Sequence, residues 1–235
     1  MSFADLTCDA QFEWMSWHHR DAHFMPLNLP VRCLDVMGAG LFNGVLGFPM
    51  CDARGQVIGV RLRRDDGSKF CITGSANGLF IPRLATGDND QIYVVEGPTD
   101  CAALLSIGLQ AVGRPSNSVG NDLLFDYLIR CRREIVLFRD RDTKTTAKAA
   151  TINFARELAL GLALVRERVK VISPPRGLKD AREWVTAGAT AAAVRCLARN
   201  AQAVTIEAAT FAEMRWFAPP ERIWARWIDR KLAAV

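Results

Sequence analysis

The chain has 235 residues, half of them apolar, and a net charge of +5, which supports a sizeable core and is consistent with a polyanionic partner such as nucleic acid. Its seven scattered cysteines never occur in C-x-x-C spacing, which argues against a structural zinc ribbon and a disulfide framework and predicts reduced thiols. No run approaches the roughly 18 apolar residues of a membrane span and no signal-like start is present, so we expect a soluble cytoplasmic protein.

Helix and hairpin patterns fill the first part of the chain. The stretch "DAQFEWMSWHHRDAHF" predicts a helix, and a second short helix precedes the glycines at 38 and 40. Further along, "GVLGFPMC" and "VIGVRLRR" are strands joined by the turn "DARG", and "DDGSKFCI" adds an Asp-Gly turn and another strand. The polar linker "ATGDND" marks the best boundary. We therefore assign residues 1–88 to a small N-terminal subdomain rich in β-hairpins.

Strand and helix patterns alternate from residue 91 onward. Strands are predicted in "QIYVVE", "LQAVG", "EIVLFRD" and "RVKVIS", and helices in "TDCAALLSIG", "NDLLFDYLIRC", "TTAKAATINFARELALGLA" and "KDAREWVTAG". Such alternation predicts an α/β fold whose mostly parallel sheet carries helices on its faces. We assign residues 89–190 to this α/β domain and 191–235 to a helical tail, in which "ERIWARWIDRKLAAV" is an amphipathic helix.

Three carboxylates stand at the predicted carboxyl ends of two strands. Glu96 closes "QIYVVE", and Asp140 and Asp142 follow "EIVLF" at alternate positions, so we expect all three at one edge of the sheet. Three like charges brought together need a cation, and oxygen ligands suit Mg²⁺ or Mn²⁺. Lys179 and Asp180 follow the fourth strand and face the same edge. The alternative is that each acid is a helix cap or a solvated turn residue.

The motifs around these residues have a recognisable order. E-G-P-T-D follows the first strand, D-R-D the third, and G-L-K-D precedes the last helix. Over about residues 91–188 this pattern resembles the topoisomerase–primase (Toprim) domain. The resemblance implies that Glu96 is an acid/base or metal ligand, that Asp140 and Asp142 bind metal, and that Lys179 and Asp180 lie near the phosphates or the metal. The chain departs from many members by following D-x-D with "TKTT" instead of an Ala-Gly pair.

The hairpin segment from residue 44 to 82 resembles the region that precedes Toprim in bacterial and phage replicative primases. On that resemblance Arg61, Arg63 and Lys69 hold triphosphate or template, and strand alternation places the two arginines on one face. The alternative is a solvated hairpin edge. Three further candidate nucleotide contacts lie at the start of the helix after Glu96 and in the loop "GRPSNS": Asp100, Ser116 and Asn117.

Several Toprim classes fit the sequence poorly. Topoisomerases need a catalytic tyrosine on a further domain, whereas Tyr93 and Tyr127 both fall in predicted core elements. No four-cysteine zinc module and no P-loop of an associated ATPase occurs in the sequence. His19 and His23 are four residues apart on a predicted helix, but no third zinc ligand accompanies them.

The resemblance therefore implies a primase-like nucleotidyltransferase of the phage or plasmid kind. Such a DNA-dependent RNA polymerase makes short RNA primers on single-stranded DNA from NTPs, using two Mg²⁺ or Mn²⁺ ions. A replicative helicase or another replication protein is a candidate partner. Two alternatives stay open: a metal-dependent Toprim nuclease acting on DNA or RNA, and a non-catalytic nucleic-acid-binding subunit.

Overall fold

The computed structural model describes residues 27–42, 44–83, 90–116, 119–131, 133–141, 152–156, 158–159 and 169–204. The predicted helix near the N-terminus with its two histidines and the amphipathic tail helix lie outside these residues. So do most of the linker and two candidate site residues, Asn117 and Asp142. Within the described residues no helix is long and apolar enough to cross a bilayer.

The helices and strands agree closely with the alternation in the sequence. In chain order they are α1 Val31–Val36, β1 Gly40–Phe42, β2 Val45–Cys51, β3 Val57–Arg63, β4 Lys69–Cys71, β5 Gln91–Glu96, α2 Pro98–Ser106, β6 Ala111–Arg114, α3 Asn121–Leu128, β7 Glu134–Phe138, β8 Val169–Ile172, α4 Ala181–Thr186 and α5 Ala191–Asn200. Residues 152–156 and 158–159 are also helical and belong to the long helix predicted between β7 and β8.

The predicted hairpins form a four-stranded antiparallel sheet in the order β1-β2-β3-β4. Alternation in β3 buries Val60 and Leu62 against Ile72, whereas Arg61 and Arg63 are only partly buried. Because successive side chains of a strand point to opposite faces, the two arginines share the other face of the hairpin. The strand β1, which pairs with β2, was not predicted because only three residues form it.

A second sheet has the order β6-β5-β7-β8, and all three of its strand pairs are parallel. Alternate residues of each strand enter two different apolar clusters. Tyr93 and Val95 pack with α2 and α4, whereas Ile92 and Val94 pack with α3 and with helical residues between β7 and β8, namely Phe154, Ala155, Leu158 and Ala159. The predicted parallel sheet with helices on both faces is therefore confirmed. Burial on both faces explains why its strands are apolar runs without polar alternation.

Residues 79 and 80 connect the two sheets by backbone hydrogen bonds. Leu79 exchanges two bonds of 2.7 Å with Cys51 of β2, and Phe80 exchanges bonds of 2.8 and 3.0 Å with Gly113 of β6. One apolar cluster also includes Met50 from the antiparallel sheet and residues of α2. The hairpins are thus held against the parallel sheet by main-chain bonds and by a shared core.

Candidate functional site

The carboxyl ends of the parallel strands meet at one edge of the sheet. Glu96, the last residue of β5, lies in register with Arg114, the last residue of β6. Phe138 of β7 lies in register with Ile172 of β8, so Asp140 follows two residues beyond this edge. This is the edge at which ligands bind in open α/β sheets.

A glycine turn starts the helix that follows Glu96. Gly97 has a φ of +82°, a left-handed conformation that glycine adopts without strain, and its N–H donates to the Arg114 carbonyl over 2.8 Å. Pro98 then occupies the first helical turn of α2, where its missing N–H costs nothing. The turn therefore places the N-terminus of α2 beside the ends of β5 and β6.

Gly113 allows β6 to approach that turn. A Cβ atom at this position would lie 2.7 Å from the Gly97 carbonyl oxygen and 3.1 Å from the Phe80 Cβ. We expect Gly113→Ala to lower the free energy of unfolding by about 1–3 kcal/mol, because backbone must shift to admit the methyl group. Urea unfolding followed by circular dichroism measures the loss. An unchanged midpoint would contradict this close approach.

Arg114 connects the ends of β5 and β6. Its side chain is 2 % exposed, and its Nη2 lies 3.6 Å from the Glu96 Oε1. Burial lowers the pKa of Arg114, while the charges of Glu96 and Asp140 act in the opposite direction. Two of the three predicted metal-binding carboxylates therefore lie close enough to act on one guanidinium. The third, Asp142, is outside the described residues.

A second pair of carboxylates lies between the N-termini of α2 and α4. Asp100 accepts a 3.0 Å hydrogen bond from the Arg182 N–H, and Asp180 accepts one of 2.8 Å from the Glu183 N–H as the N-cap of α4. Both residues are buried. Burial and the charge of Asp180 raise the pKa of Asp100 to about 7. Two carboxylates held this close favour either a proton or a cation between them.

The burial of Asp100, with the charge of Asp180 beside it, makes stability depend on pH. Because the folded chain binds the Asp100 proton more tightly than the unfolded chain does, the protein loses stability as pH rises from the ordinary carboxyl range through about 7. An asparagine at position 100 has no charge to bury, so the variant does not lose stability in this way. We expect Asp100→Asn to stabilise the metal-free protein at pH 8 by about 1 kcal/mol or more, hence by about 2–4 °C in Tm.

Thermal unfolding in the presence of a chelator at pH 5 and pH 8 measures this effect. The gap in Tm between Asp100→Asn and the parent is expected to be wide at pH 8 and to close toward pH 5, where Asp100 is protonated. Asp90→Asn, at an exposed position before β5, is the matched control. A gap that does not change with pH would show that Asp100 is not the group responsible.

Basic residues of the hairpin act electrostatically on the Asp100–Asp180 pair. Burial and the Arg182 charge lower the pKa of Arg63, against the opposing effect of both aspartates. Desolvation and the Arg63 charge lower the pKa of Lys69, again against Asp100. Cations of the antiparallel sheet therefore act on carboxylates at the N-termini of α2 and α4. Clustered cations of this kind suit a phosphate chain.

Arg61 and Lys179 lie around the same cluster. The Arg61 Nη2 donates to Asn77 over 3.3 Å, and its Nε is buried without a hydrogen-bond partner among the described residues. Lys179 is exposed, and its own backbone N–H donates to the Glu183 Oε2 over 2.7 Å. The positive charges of both side chains help to lower the pKa of Lys69. Both residues are therefore near enough to Lys69 to interact with it electrostatically.

Two functional candidates in this region were not predicted from the sequence: Arg114 and Arg182. The loop "GRPSNS" was expected to begin at Gly113, but β6 continues through Arg114 and buries it; only Ser116 of the two predicted loop contacts is described. Arg141 donates its Nε to the Pro174 carbonyl over 2.6 Å and its N–H to the Lys179 carbonyl over 2.7 Å. The residue between the two aspartates thus fastens the loop that carries Lys179.

The donor set fits a hydrated divalent cation. Its side chains offer only carboxylate oxygens, which Mg²⁺ and Mn²⁺ prefer, and Mg²⁺ is commonly held by one or two carboxylates plus substrate phosphates. Among the described residues no three acidic, histidine or cysteine side chains form a metal-sized group. The described part of the edge instead carries two separate pairs of carboxylates: Glu96 with Asp140, and Asp100 with Asp180.

No protein-family model matches the chain, and no curated protein matches it significantly. Among solved structures, a DnaG primase catalytic domain bound to ssDNA is similar with a TM-score of 0.63 at 17% identity, covering 84% of this chain and 74% of that one. The E. coli primase catalytic core gives 0.60 at 17% identity over 79% and 74%. The primase fragment of the bacteriophage T7 primase-helicase protein gives 0.50 at 17% identity over 73% and 72%. This chain therefore has the fold of a primase catalytic core.

Proposed function

We propose that the chain is a primase-like nucleotidyltransferase of the Toprim kind that joins ribonucleotides on a single-stranded DNA template. The observation that carries this proposal is the placement of Arg63, Lys69 and Arg182 around the Asp100–Asp180 pair. Polymerising nucleotides needs carboxylates and phosphate-binding cations side by side, and here the cations of the hairpin act on aspartates at the N-termini of α2 and α4. The similarity in fold to a primase domain bound to ssDNA supports the choice of substrate.

The carboxylates are proposed as the metal-binding groups. Glu96, Asp140 and Asp142 would hold one Mg²⁺ or Mn²⁺ ion, and Asp180 with Asp100 would contribute to a second. When bound, the ions supply charge neutralisation of the triphosphate and of the leaving pyrophosphate. Glu96 lies 3.6 Å from the Arg114 guanidinium and is 22% exposed, so its carboxylate is placed to reach a ligand, and we propose it as a metal ligand or as the acid/base.

The basic side chains are proposed to bind and orient the substrates. Arg63 and Lys69 on the hairpin would contact triphosphate or template phosphates, with Arg61 and Lys179 at either side. The N-terminus of α2, which the Gly97 turn brings to the same edge, also favours an anion. Ser116 and Asn117, in the loop after β6, are proposed to touch phosphate or sugar.

One assay tests the proposed function against its alternatives. The protein is incubated with single-stranded DNA, labelled NTPs and Mg²⁺ or Mn²⁺, beside an Asp140→Asn control. New oligoribonucleotides that depend on Asp140 are the expected result. Shortened template would instead identify a nuclease, and a mobility shift without new or shortened strands would identify a nucleic-acid-binding subunit. Either outcome would overturn the primase proposal.

We further propose that a replicative helicase acts with this chain. A primase must receive single-stranded template, and one protein of similar fold is a fragment of a primase-helicase protein. Primer synthesis on a forked duplex is expected only when a helicase is added, whereas synthesis on single-stranded DNA does not need it. Equal synthesis on both templates without helicase would contradict this partnership.

A further inference from the structure

Arg114 is an arginine placed where arginine is rare, inside the core at the end of a parallel strand. It is the largest of the fully buried side chains among the described residues. A buried guanidinium remains charged and is costly unless its surroundings compensate it. Here the carboxylate of Glu96, a candidate metal ligand, compensates the charge of Arg114. Arg114 can therefore influence how that ligand binds a metal ion.

Contacts with Glu96, Asn121 and Phe154 hold the guanidinium in place. Its Nη2 lies 3.6 Å from the Glu96 Oε1, and its Nη1 donates to the Asn121 Oδ1 over 3.4 Å. Its Cζ lies 5.3 Å from the centre of the Phe154 ring, within the range of a cation–π contact. Glu96, by contrast, is 22% exposed and can reach a ligand at the edge of the sheet. The cation is therefore fixed, and the carboxylate beside it is accessible.

We propose that Arg114 is a positioning residue, a fixed internal cation that orients the Glu96 carboxylate and offsets the negative charge of Glu96 and Asp140. This inference rests on the proposed function, because it assigns a role toward the metal that these carboxylates would hold. A permanent positive charge beside the ligands competes with a divalent ion for them. The chain would then have a preformed carboxylate geometry and a weakened affinity for metal at this edge.

A role in setting the charge of the site predicts the sign of a change in metal affinity, which a purely structural role would not predict. Removing the cation should tighten metal binding while it impairs catalysis, because Glu96 keeps its charge but loses its orientation. Arg114→Met removes the charge and keeps an apolar chain that packs against Phe154. Arg114→Lys keeps the charge and shortens the reach, so it is the matched control.

The first measurement is a titration of each full-length variant with Mn²⁺, followed by electron paramagnetic resonance of the free ion. We expect Arg114→Met to bind Mn²⁺ about threefold or more tightly than the parent, and Arg114→Lys to stay within about twofold of it. In the primer assay at saturating Mn²⁺, kcat of Arg114→Met is expected to fall while added metal fails to restore it. Unchanged or weaker Mn²⁺ binding by folded Arg114→Met overturns the inference.

The second measurement is a double-mutant cycle of stability that does not involve metal. Glu96→Gln removes the carboxylate that lies 3.6 Å from the buried guanidinium, so the folding equilibrium constant should fall by about tenfold or more. Adding Arg114→Met to Glu96→Gln should recover most of this loss, because the buried charge that Glu96 stabilised is gone. Additive effects of the two substitutions would overturn the inference.

The two measurements also separate this inference from the proposed function. If the parent binds no Mn²⁺ at any concentration tested, the proposed metal site is wrong, and the claim that Arg114 tunes it is overturned with it. The cycle still decides whether Arg114 and Glu96 are coupled. If the parent binds Mn²⁺ and makes primers but the cycle is additive, the proposed function stands and the Arg114 inference is rejected.

Discussion

Replacing Asp140 with asparagine is expected to reduce primer synthesis by about 100-fold or more while the chain stays folded. Asp140 follows the end of β7 and acts on the Arg114 guanidinium together with Glu96, so it faces the edge where the substrates are proposed to react. An amide of the same shape loses the negative charge that a divalent ion needs from its ligand. Initial rates of oligoribonucleotide formation on single-stranded DNA measure the effect.

The control for this substitution lies at the other end of the sheet. Asp90 is exposed and precedes the first residue of β5, so Asp90→Asn changes the same charge far from the carboxyl edge and should leave the rate within about twofold. DNA binding by Asp140→Asn should persist, because the basic hairpin is intact. Parent-like synthesis by folded Asp140→Asn would remove Asp140 from the catalytic set.

Neutralising Arg63 and Lys69 together is expected to raise the KM for NTPs by about 100-fold. The two residues lie opposite each other in β3 and β4, and both act on Asp100, so each would give one charged contact to phosphate. Loss of a charged hydrogen bond weakens binding by about tenfold or more, and the doubly substituted Arg63→Met, Lys69→Met chain loses two. Steady-state rates at varied NTP concentration measure KM and kcat separately.

Arg64 offers a matched control on the same hairpin. Its guanidinium lies 4.0 Å from the centre of the Phe70 ring, a contact that accounts for its position without any substrate. Arg64→Met removes one positive charge from the same hairpin, so it is compared with Arg63→Met alone, and it should change the KM for NTPs by less than about threefold. A KM that rises equally in both variants would show that the net charge of the hairpin matters and not the placement of Arg63 and Lys69.

Much of the fold follows from local patterns in the sequence. The apolar run that ends in Glu96, the Asp-Gly turn before Lys69 and the Gly97-Pro98 junction each predict one local structure, and the structure confirms these elements. Burial of both faces gave the parallel strands their continuous apolar character. The carboxylates at the strand ends were expected at one edge for the same geometric reason, since parallel strands end together.

What the sequence could not reveal is contact between distant segments. Nothing in the short-range pattern of "AVGR" indicates that its arginine turns inward to Glu96, and nothing around Asp100 indicates that Asp180 packs beside it. Arg182 is separated from Asp100 by 82 positions, so no periodicity connects them. The helix α5 was placed only within a general helical tail, because just Val194 and Ala198 of its ten residues are buried.

The main-chain bonds through Leu79 and Phe80 have a consequence for how substrates enter. These bonds run from Cys51 of the antiparallel sheet through residues 79 and 80 to Gly113 of the parallel sheet, so main-chain pairing helps to set the distance between the hairpin cations and the aspartates. A substitution that disturbs this pairing would therefore shift the proposed entry path for nucleotide and template without changing any residue that is proposed to touch them.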